Sequence, residues 1–271
     1  MLIADVGINH NGDLQIAKQL ISVCHSAGIE YVKFQKRNPD MCVPESQKAK
    51  MRETPWGDMT YLEYRWKVEF GLEEYLEIDK FCKYIGQKWF MSVWDLDSLN
   101  FAAYFDADYI KIPSAKITDM ELLKQVRIIG RPVILSTGGC TQDMIDDAMR
   151  VVGDALYGIM HCTSTYPCRA DEINLNCIQT FRKLYPGVKI GFSNHHPGTV
   201  AVTLAIGMGC DMVEFHVTLD RAMWGTDHAA SFEPEGIFKV AKYAKNIGQM
   251  LGDGIKKFYP SELPVMEKLR T

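Results

Sequence analysis

The chain has 271 residues, 47% of them apolar, and a formal net charge of −4. That length and apolar share suit one large core, the charge argues against nucleic-acid binding, which asks for a basic face, and no apolar run approaches the roughly 20 residues of a membrane span. Eight scattered cysteines without a CxxC pair read as free, mostly buried thiols of a reducing cytoplasm rather than as a disulfide framework. A mildly negative total leaves room for an anionic substrate, because a few lysines reverse the sign inside a pocket.

In chain order, a short apolar run stops at a polar or charged residue eight times. The runs are LIAD ending at Asp5, YVKFQ with Lys33 and Gln35, WFMS ending at Ser92, YIKIPS with Lys111 and Ser114, VILST with Ser136, LYGIMH ending at His161, VKIGFS ending at Ser193, and MVEFH ending at His216. Parallel strands buried on both faces are nearly continuous in apolar residues, and α/β enzymes place their chemistry at the carboxyl ends. The first residues are expected to form the first strand directly, which leaves no signal peptide. Between the runs the period becomes helical. Asp13 to Ala27 carries apolar residues at Leu14, Ala17, Leu20, Ile21 and Cys24, with Asp13 placed as a cap and Gly28 as a stop. After Gln35 comes the longest irregular segment, 36–71, with Pro39, Pro44, Pro55 and two tryptophans. It suits a lid or wall over a site better than a simple connector. Further helices are predicted at Leu72–Gly86, Leu96–Phe105, Asp119–Ile129, Gln142–Val152, Asn174–Leu184, Thr199–Met208 and Glu235–Leu251. The tail, 252–271, is too short for a second domain. Eight strand–helix units predict one α/β domain over 1–271, a (β/α)8 TIM barrel, which typically needs roughly 250 residues. A doubly wound open sheet is the alternative, disfavoured because no GxGxxG follows the first strand.

Several residues carry chemistry. His216 closes the last run, and His228 follows in LDRAMWGTDHAASFEP, a loop whose Gly225 lets it fold back over the barrel mouth. Imidazoles suit divalent transition metals; two hydrogen-bonded core or surface histidines are the alternative. Lys33 and Lys111 lie in apolar runs, where a lysine facing the barrel interior is costly unless it meets an anion. With Ser114 and the Ser136-Thr137-Gly138-Gly139 turn they make a cradle for a phosphate and a carboxylate; outward snorkelling between the helices is the alternative. Asn9-His10-Asn11-Gly12 reads as a polar turn. His161 and Tyr166 in HCTSTYP read equally as packed core residues, Asp5 either orients a substrate hydroxyl or caps a loop, and His195 and His196 fit the start of a helix.

Taken in order, IADVGINHNGD, YVKFQ, YIKIPSAKITD, VILSTGG, HCTSTYPC, IGFSNHHPG and EFHVTLDRAMWGTDHAASFEP resemble the sialic acid (N-acetylneuraminate) synthase family, across nearly the whole chain. The resemblance implies a barrel enzyme, cytoplasmic and homodimeric, that condenses phosphoenolpyruvate with a sugar aldehyde to a nine-carbon 2-keto acid and releases phosphate. It implies a divalent metal, manganese ahead of magnesium or cobalt, on His216 and His228. Lys33, Lys111, Ser114 and Ser136 are implied to bind phosphoenolpyruvate, and Gln35, Tyr166 and the Asn9-His10-Asn11 turn to line the sugar pocket. Asp5, Lys33, Lys111 and Tyr166 are the implied catalytic set, with Ser92, Thr137, Gly138, His161, Ser193 and Asp227 as further substrate contacts.

The chain departs from that family's pattern at four places and in its extent. Asp5 stands where Glu is usual, and Lys116 in KIPSAK stands where a sugar-contacting carboxylate is usual. Ser92-Val93-Trp94 is one residue shorter than the usual STPF, and Ser193-Asn194-His195 replaces SDH. Lys116 predicts an acceptor with a phosphate or carboxylate nearby. Family members generally continue into an antifreeze-like domain that caps the partner's site. Here the chain ends soon after Tyr259-Pro260-Ser261-Glu262, so a separate capping protein, or the 36–71 segment, is expected to cover the site. Two rival functions remain: a shorter keto-deoxy sugar acid synthase of the same chemistry, and a non-catalytic barrel that binds sugar or phosphoenolpyruvate.

Overall fold

In the computed structural model, which describes residues 1–270, eight parallel strands close into a barrel. They are β1 (Leu2–Gly7), β2 (Tyr31–Lys36), β3 (Lys88–Val93), β4 (Ile110–Ile112), β5 (Val133–Ser136), β6 (Leu156–His161), β7 (Lys189–Asn194) and β8 (Met212–His216). Each pairs with its sequence neighbours, and β1 pairs with both β2 and β8 to complete the ring. The helices between and after them are α1 (Leu14–Ala27), α2 (Leu72–Ile85), α3 (Leu96–Ala103), α4 (Met120–Ile129), α5 (Gln142–Val152), α6 (Cys177–Leu184), α7 (Val200–Gly207) and α8 (Pro234–Leu251). This is the (β/α)8 barrel that the eight apolar runs predict.

Local chemistry sets the helix limits. The Asp13 carboxylate accepts from the backbone N–H groups of Gln15 and Ile16, a cap that stabilises α1 by about 1 kcal/mol. Gly28 ends it at φ 80, a left-handed conformation that glycine adopts without penalty. Helix α6 starts at Cys177, three residues later than expected, because Asn174 takes a left-handed turn at φ 47.

The 36–71 segment is not irregular, as expected from sequence, but built of short ordered pieces. Helices Pro39–Cys42, Glu45–Lys48 and Tyr61–Lys67 flank a hairpin that pairs Met51–Arg52 with Met59–Thr60. Four to seven residues are too few to print a helical period, which needs a window of roughly 11–18 residues. The tail likewise contains a helix, Leu263–Leu269.

Side chains alternate across each strand, so every second residue faces the barrel axis. A lower interior layer of Ile3, Tyr31, Phe90, Ile134, Met160 and Met212 forms an apolar floor. Two positions further along the same strands, the inward residues are Asp5, Lys33, Ser92, Ser136 and Glu214. The other phase, including Val6, Phe34, Ile112, Leu135, Ile159 and Phe215, packs under the helices in a second, larger core. The floor closes the barrel from below, and polar chemistry is left at the carboxyl-terminal mouth. All eight cysteines are free, and no described helix is long and apolar enough to cross a membrane.

Candidate active site

Register brings four charges together. Asp5 is paired across the ladder with Lys33 on one side and His216 on the other, and Lys33 Nζ donates to Asp5 Oδ2 at 2.7 Å. Lys111 Nζ donates to both Glu214 oxygens at 3.2 and 3.1 Å, and Ser193 Oγ donates to Glu214 Oε1 at 2.9 Å. Lys33 Nζ also stands 3.8 Å from Glu214. None of the four is more than 3% exposed. Burial pushes the carboxyls of Asp5 and Glu214 up, but Lys33 with His216, and Lys111 with Lys33, outweigh it and hold both below their ordinary range. Burial likewise pushes Lys33 down, and Asp5 and Glu214 more than reverse it. At Lys111 burial wins over Glu214, and its pKa lies below the ordinary value.

The lysines therefore face the interior and do not snorkel, yet they are not bare cations awaiting an anion. Glu214, absent from the residues singled out in the sequence, is their shared counter-charge. Its signal was available: a carboxylate inside MVEFH, two residues before His216 and so on the same side of the pleat.

Above this charged layer lies a cavity of about 330 Å³. One side carries the hydroxyls of Ser92, Ser114, Ser136 and Ser164 beside Gly138. Gly138 N donates to Ser114 Oγ at 2.9 Å, and a Cβ at Gly138 would fall 2.1 Å from Ser164 Oγ. Only glycine lets the two hydroxyls converge there.

The opposite side carries Asp5, Gln35, Tyr166, His195 and His216. His195 Nδ1 lies 2.8 Å from the Thr163 carbonyl and must donate to it, which leaves Nε2 to accept from the Tyr166 hydroxyl at 2.9 Å. Burial, reinforced by nearby His216, pushes the His195 pKa down to about 4, so the ring is neutral at pH 7. The His195 and His216 ring centroids are 5.5 Å apart. His216 Nε2 is 3.5 Å from Asp5 Oδ2, and its Nδ1 is 3.9 Å from Asp227 Oδ2. Asp5 Oδ1 and His216 Nδ1 are buried without a hydrogen-bond partner.

A second cavity of about 230 Å³ adjoins the first at Gln35, Trp94 and Tyr166. The 36–71 segment supplies much of its wall through Arg37, Cys42, Val43, Pro44, Tyr61 and Arg65, facing Thr226 and Asp227.

The unpartnered donors suit a divalent ion: two imidazoles with a buried free ring nitrogen, His216 Nδ1 and His228 Nε2, and the free carboxylate oxygen of Asp5 beside His216. No group of three or more His, Cys, Asp or Glu among the described residues is arranged to hold an ion by itself. Two protein ligands would leave coordination positions open for substrate oxygens.

The structure corrects several expectations. His228 does not line either cavity, but its Nδ1 donates to Thr218 Oγ1 at 2.7 Å, whose own hydroxyl donates to the Asp220 carbonyl, so its Nε2 is a buried lone pair without a partner. His195 stands beside His216, yet both of its ring nitrogens are already taken, by Tyr166 and by the Thr163 carbonyl. Asn9, His10 and Asn11 also lie outside the cavities. Asn9 Nδ2 donates to the Val217 carbonyl and Ser231 Oγ, Asn11 Nδ2 donates to the Trp224 carbonyl, and His10 stacks on Phe70 at 3.8 Å. The turn latches the loop after β8, which carries Asp227. His161 faces the helices because Met160 takes the inward position; its Nε2 meets the Ile173 carbonyl at 2.7 Å. Thr137 is out of phase because Ser136 takes the inward position before it, and it donates to the Met160 carbonyl. Lys116 pairs with Asp119 at 3.5 Å and is not among the lining residues.

Comparison with known proteins agrees with this architecture. The chain matches the NeuB family over residues 20–256. It is 33% identical to the N,N'-diacetyllegionaminic acid synthase of Campylobacter jejuni over 97% of this chain and 80% of that one. It is 29% identical to the N-acetylneuraminate-9-phosphate synthase of Homo sapiens, over 99% of this chain and 76% of that protein. The solved N-acetylneuraminic acid (sialic acid) synthetase of Leptospira borgpetersenii superposes with a TM-score of 0.86 at 29% identity, covering 98% of this chain and 90% of that one. A 3-deoxy-D-arabino-heptulosonate 7-phosphate synthase from Thermotoga maritima, 14% identical with a TM-score of 0.69, shares the fold alone. With the barrel, its charged interior layer and a match running through most of the strands, the chain belongs to the NeuB family.

Proposed function

We propose that this protein condenses phosphoenolpyruvate with a sugar aldehyde to give a 2-keto sugar acid of the sialic-acid type and free phosphate, with a divalent ion, manganese ahead of magnesium or cobalt. The observation that carries this is the inner cavity, where an ammonium-and-hydroxyl cradle faces an imidazole, carboxylate and phenol wall across one space. Relatives named as synthases of diacetyllegionaminic acid and N-acetylneuraminate 9-phosphate support a product of this class.

Lys33 and Lys111, with the hydroxyls of Ser114, Ser136 and Ser164, receive the phosphate and carboxylate of phosphoenolpyruvate. Pairing with Asp5 and Glu214 keeps the empty floor neutral, and an entering anion shares the same ammonium groups, each of which has three donors. The acceptor lies in the outer cavity with its aldehyde at Gln35, Tyr166 and Asp227. The enol C3 forms a bond to the aldehyde carbon, whose oxygen takes up a proton. Water then adds at C2, and loss of phosphate leaves the keto group. Asp5 Oδ1 is the free acceptor for the attacking water or the new hydroxyl. Holding two reactants in line, and fixed ammonium groups beside developing charge, are the barrel's contributions. His216 and His228 would hold the ion, which when bound polarises a carbonyl oxygen as a Lewis acid.

A panel of sugar aldehydes tests this by phosphate release with and without a chelator. Release that needs phosphoenolpyruvate and one sugar together supports the proposal; release indifferent to every sugar removes it.

A further inference from the structure

The outer cavity contains two guanidinium groups that the chemistry above does not use. Arg65, on the helix Tyr61–Lys67, is only 5% exposed, and Arg37 follows β2 directly; both line the cavity. Arg65 Nη2 and Arg37 Nε are buried with no hydrogen-bond partner. Arg37 stacks on the Trp94 ring at 3.8 Å and donates through Nη2 to Gln35 Oε1, which fixes the plane of its donor fork at the junction of the two cavities.

Neither guanidinium is paired with a carboxylate; Glu69, the acid near Arg37, is taken by Lys36 and the Arg37 backbone N–H. The arginine–carboxylate pairs among the described residues are those of Arg150, Arg169, Arg182 and Arg221. The acid that lines the outer cavity is Asp227, whose Oδ1 accepts from Thr226 Oγ1 and whose Oδ2 faces His216. The inner cavity balances Lys33 and Lys111 against Asp5 and Glu214; the outer one sets two cations against one anion already directed elsewhere. A buried cation without a partner is costly, and that cost is removed when a ligand brings the missing charge.

We propose that Arg37 and Arg65 receive an anionic group, a phosphate monoester or a carboxylate, at the end of the acceptor sugar opposite its aldehyde. The position follows from the connection between the cavities. The aldehyde must reach the inner space past Gln35, Trp94 and Tyr166, so whatever lies against the arginines is the distal end. A planar guanidinium fork suits both oxyanions and gives bidentate geometry. The anion sought near Lys116 on sequence grounds moves to this pair, because Lys116 already has Asp119. The inference deepens the proposed synthase activity and rests on it.

Three hexosamine aldehydes that differ only at C6, as hydroxyl, phosphate or carboxylate, test it on the intact chain with saturating phosphoenolpyruvate. One anionic form is expected to exceed the hydroxyl form in kcat/KM by about 30-fold or more, the lower range for a desolvated charge pair. The better of the two anionic forms identifies the group. Arg65→Gln should lower that ratio at least about tenfold, and Arg65→Lys should restore part of it, because charge rather than packing carries the effect. Arg37→Gln is the second variant should Arg65→Gln not fold. A wild-type ratio near one overturns the inference. Should no sugar support phosphate release, the synthase reading fails, and calorimetric titration of the C6 forms decides the anion site separately. Tighter binding of an anionic form that Arg65→Gln abolishes supports it; equal binding of all three overturns it.

Discussion

Lys33 Nζ stands 2.7 Å from Asp5 Oδ2 on the adjacent strand, so the barrel neutralises a buried cation of its own before any ligand enters. The same carboxylate lies 3.5 Å from His216 Nε2. One side chain on β1 thus touches both the anion cradle and the imidazole wall, and its position follows from strand register alone.

The companion pair gives the clearest stability prediction. Glu214→Ala leaves Lys111 buried without its carboxylate, and removing one partner of a buried pair typically costs about 3–5 kcal/mol. Urea unfolding measures it. A loss under about 1 kcal/mol would mean that water reaches this layer and screens it.

Gly138→Ala should harm binding more than folding. The new methyl would press on Ser164 Oγ and Ser114 Oγ, and both are hydroxyls that turn aside at an expected cost of about 1–2 kcal/mol. Turned aside, they no longer meet the phosphate. Steady-state kinetics should show KM for phosphoenolpyruvate raised about tenfold or more; an unchanged KM would take these hydroxyls out of the cradle.

His10 makes stability depend on pH in a fixed direction. Burial pushes its pKa from 6.5 down to about 3. The unfolded chain binds a proton as pH falls through 6.5, while the folded ring stays neutral until about 3. Stability is therefore fully present above 6.5 and drops between 6.5 and 3 by about 1.4 kcal/mol per pH unit from this group. Chemical denaturation across that range should show the slope reduced by one proton in His10→Gln. An unaltered slope contradicts the assignment.

The metal assignment separates three histidines. Manganese binding, followed by electron paramagnetic resonance without any substrate, should weaken at least about tenfold in His216→Gln and in His228→Gln. His195→Gln, which removes a ring whose two nitrogens are both hydrogen-bonded, should bind as the wild type does. Loss in His195→Gln with retention in His228→Gln would contradict the pair of His216 and His228.

Asn9 offers a test of the latch. Asn9→Ala removes two hydrogen bonds that hold the loop after β8, each with a net contribution of about 0.5–1.5 kcal/mol. Amide exchange should quicken across 218–233. Unchanged protection there would mean that the loop is held from elsewhere.

The barrel was legible because a strand buried on both faces prints an unbroken apolar run, and eight of them are long enough to see. Where each run stops was also legible, and that found Asp5, Lys33, Ser92, Lys111, Ser136, Ser193 and His216. What the run does not print is phase. His161 ends its run as His216 does, yet Met160 holds the inward position and turns His161 toward α6. Reading two positions on from Met212 would have found Glu214, but nothing in the run discounts His161, because Ile159 two positions before it is equally apolar and buried. Arg65 was hidden for a different reason. It lies on a seven-residue helix in a segment whose placement over the mouth depends on contacts remote in sequence. His195 looked like the start of a helix because its neighbours are turn formers, and only the closed ring sets it beside His216.

The central claim is that this cavity joins the three carbons of phosphoenolpyruvate to a sugar aldehyde. Mass spectrometry of the product formed from phosphoenolpyruvate labelled with carbon-13 at all three carbons tests it most directly. The account predicts a sugar acid that carries all three labelled carbons, formed in equal amount with free phosphate. Labelled pyruvate, with the sugar recovered unchanged, would contradict it.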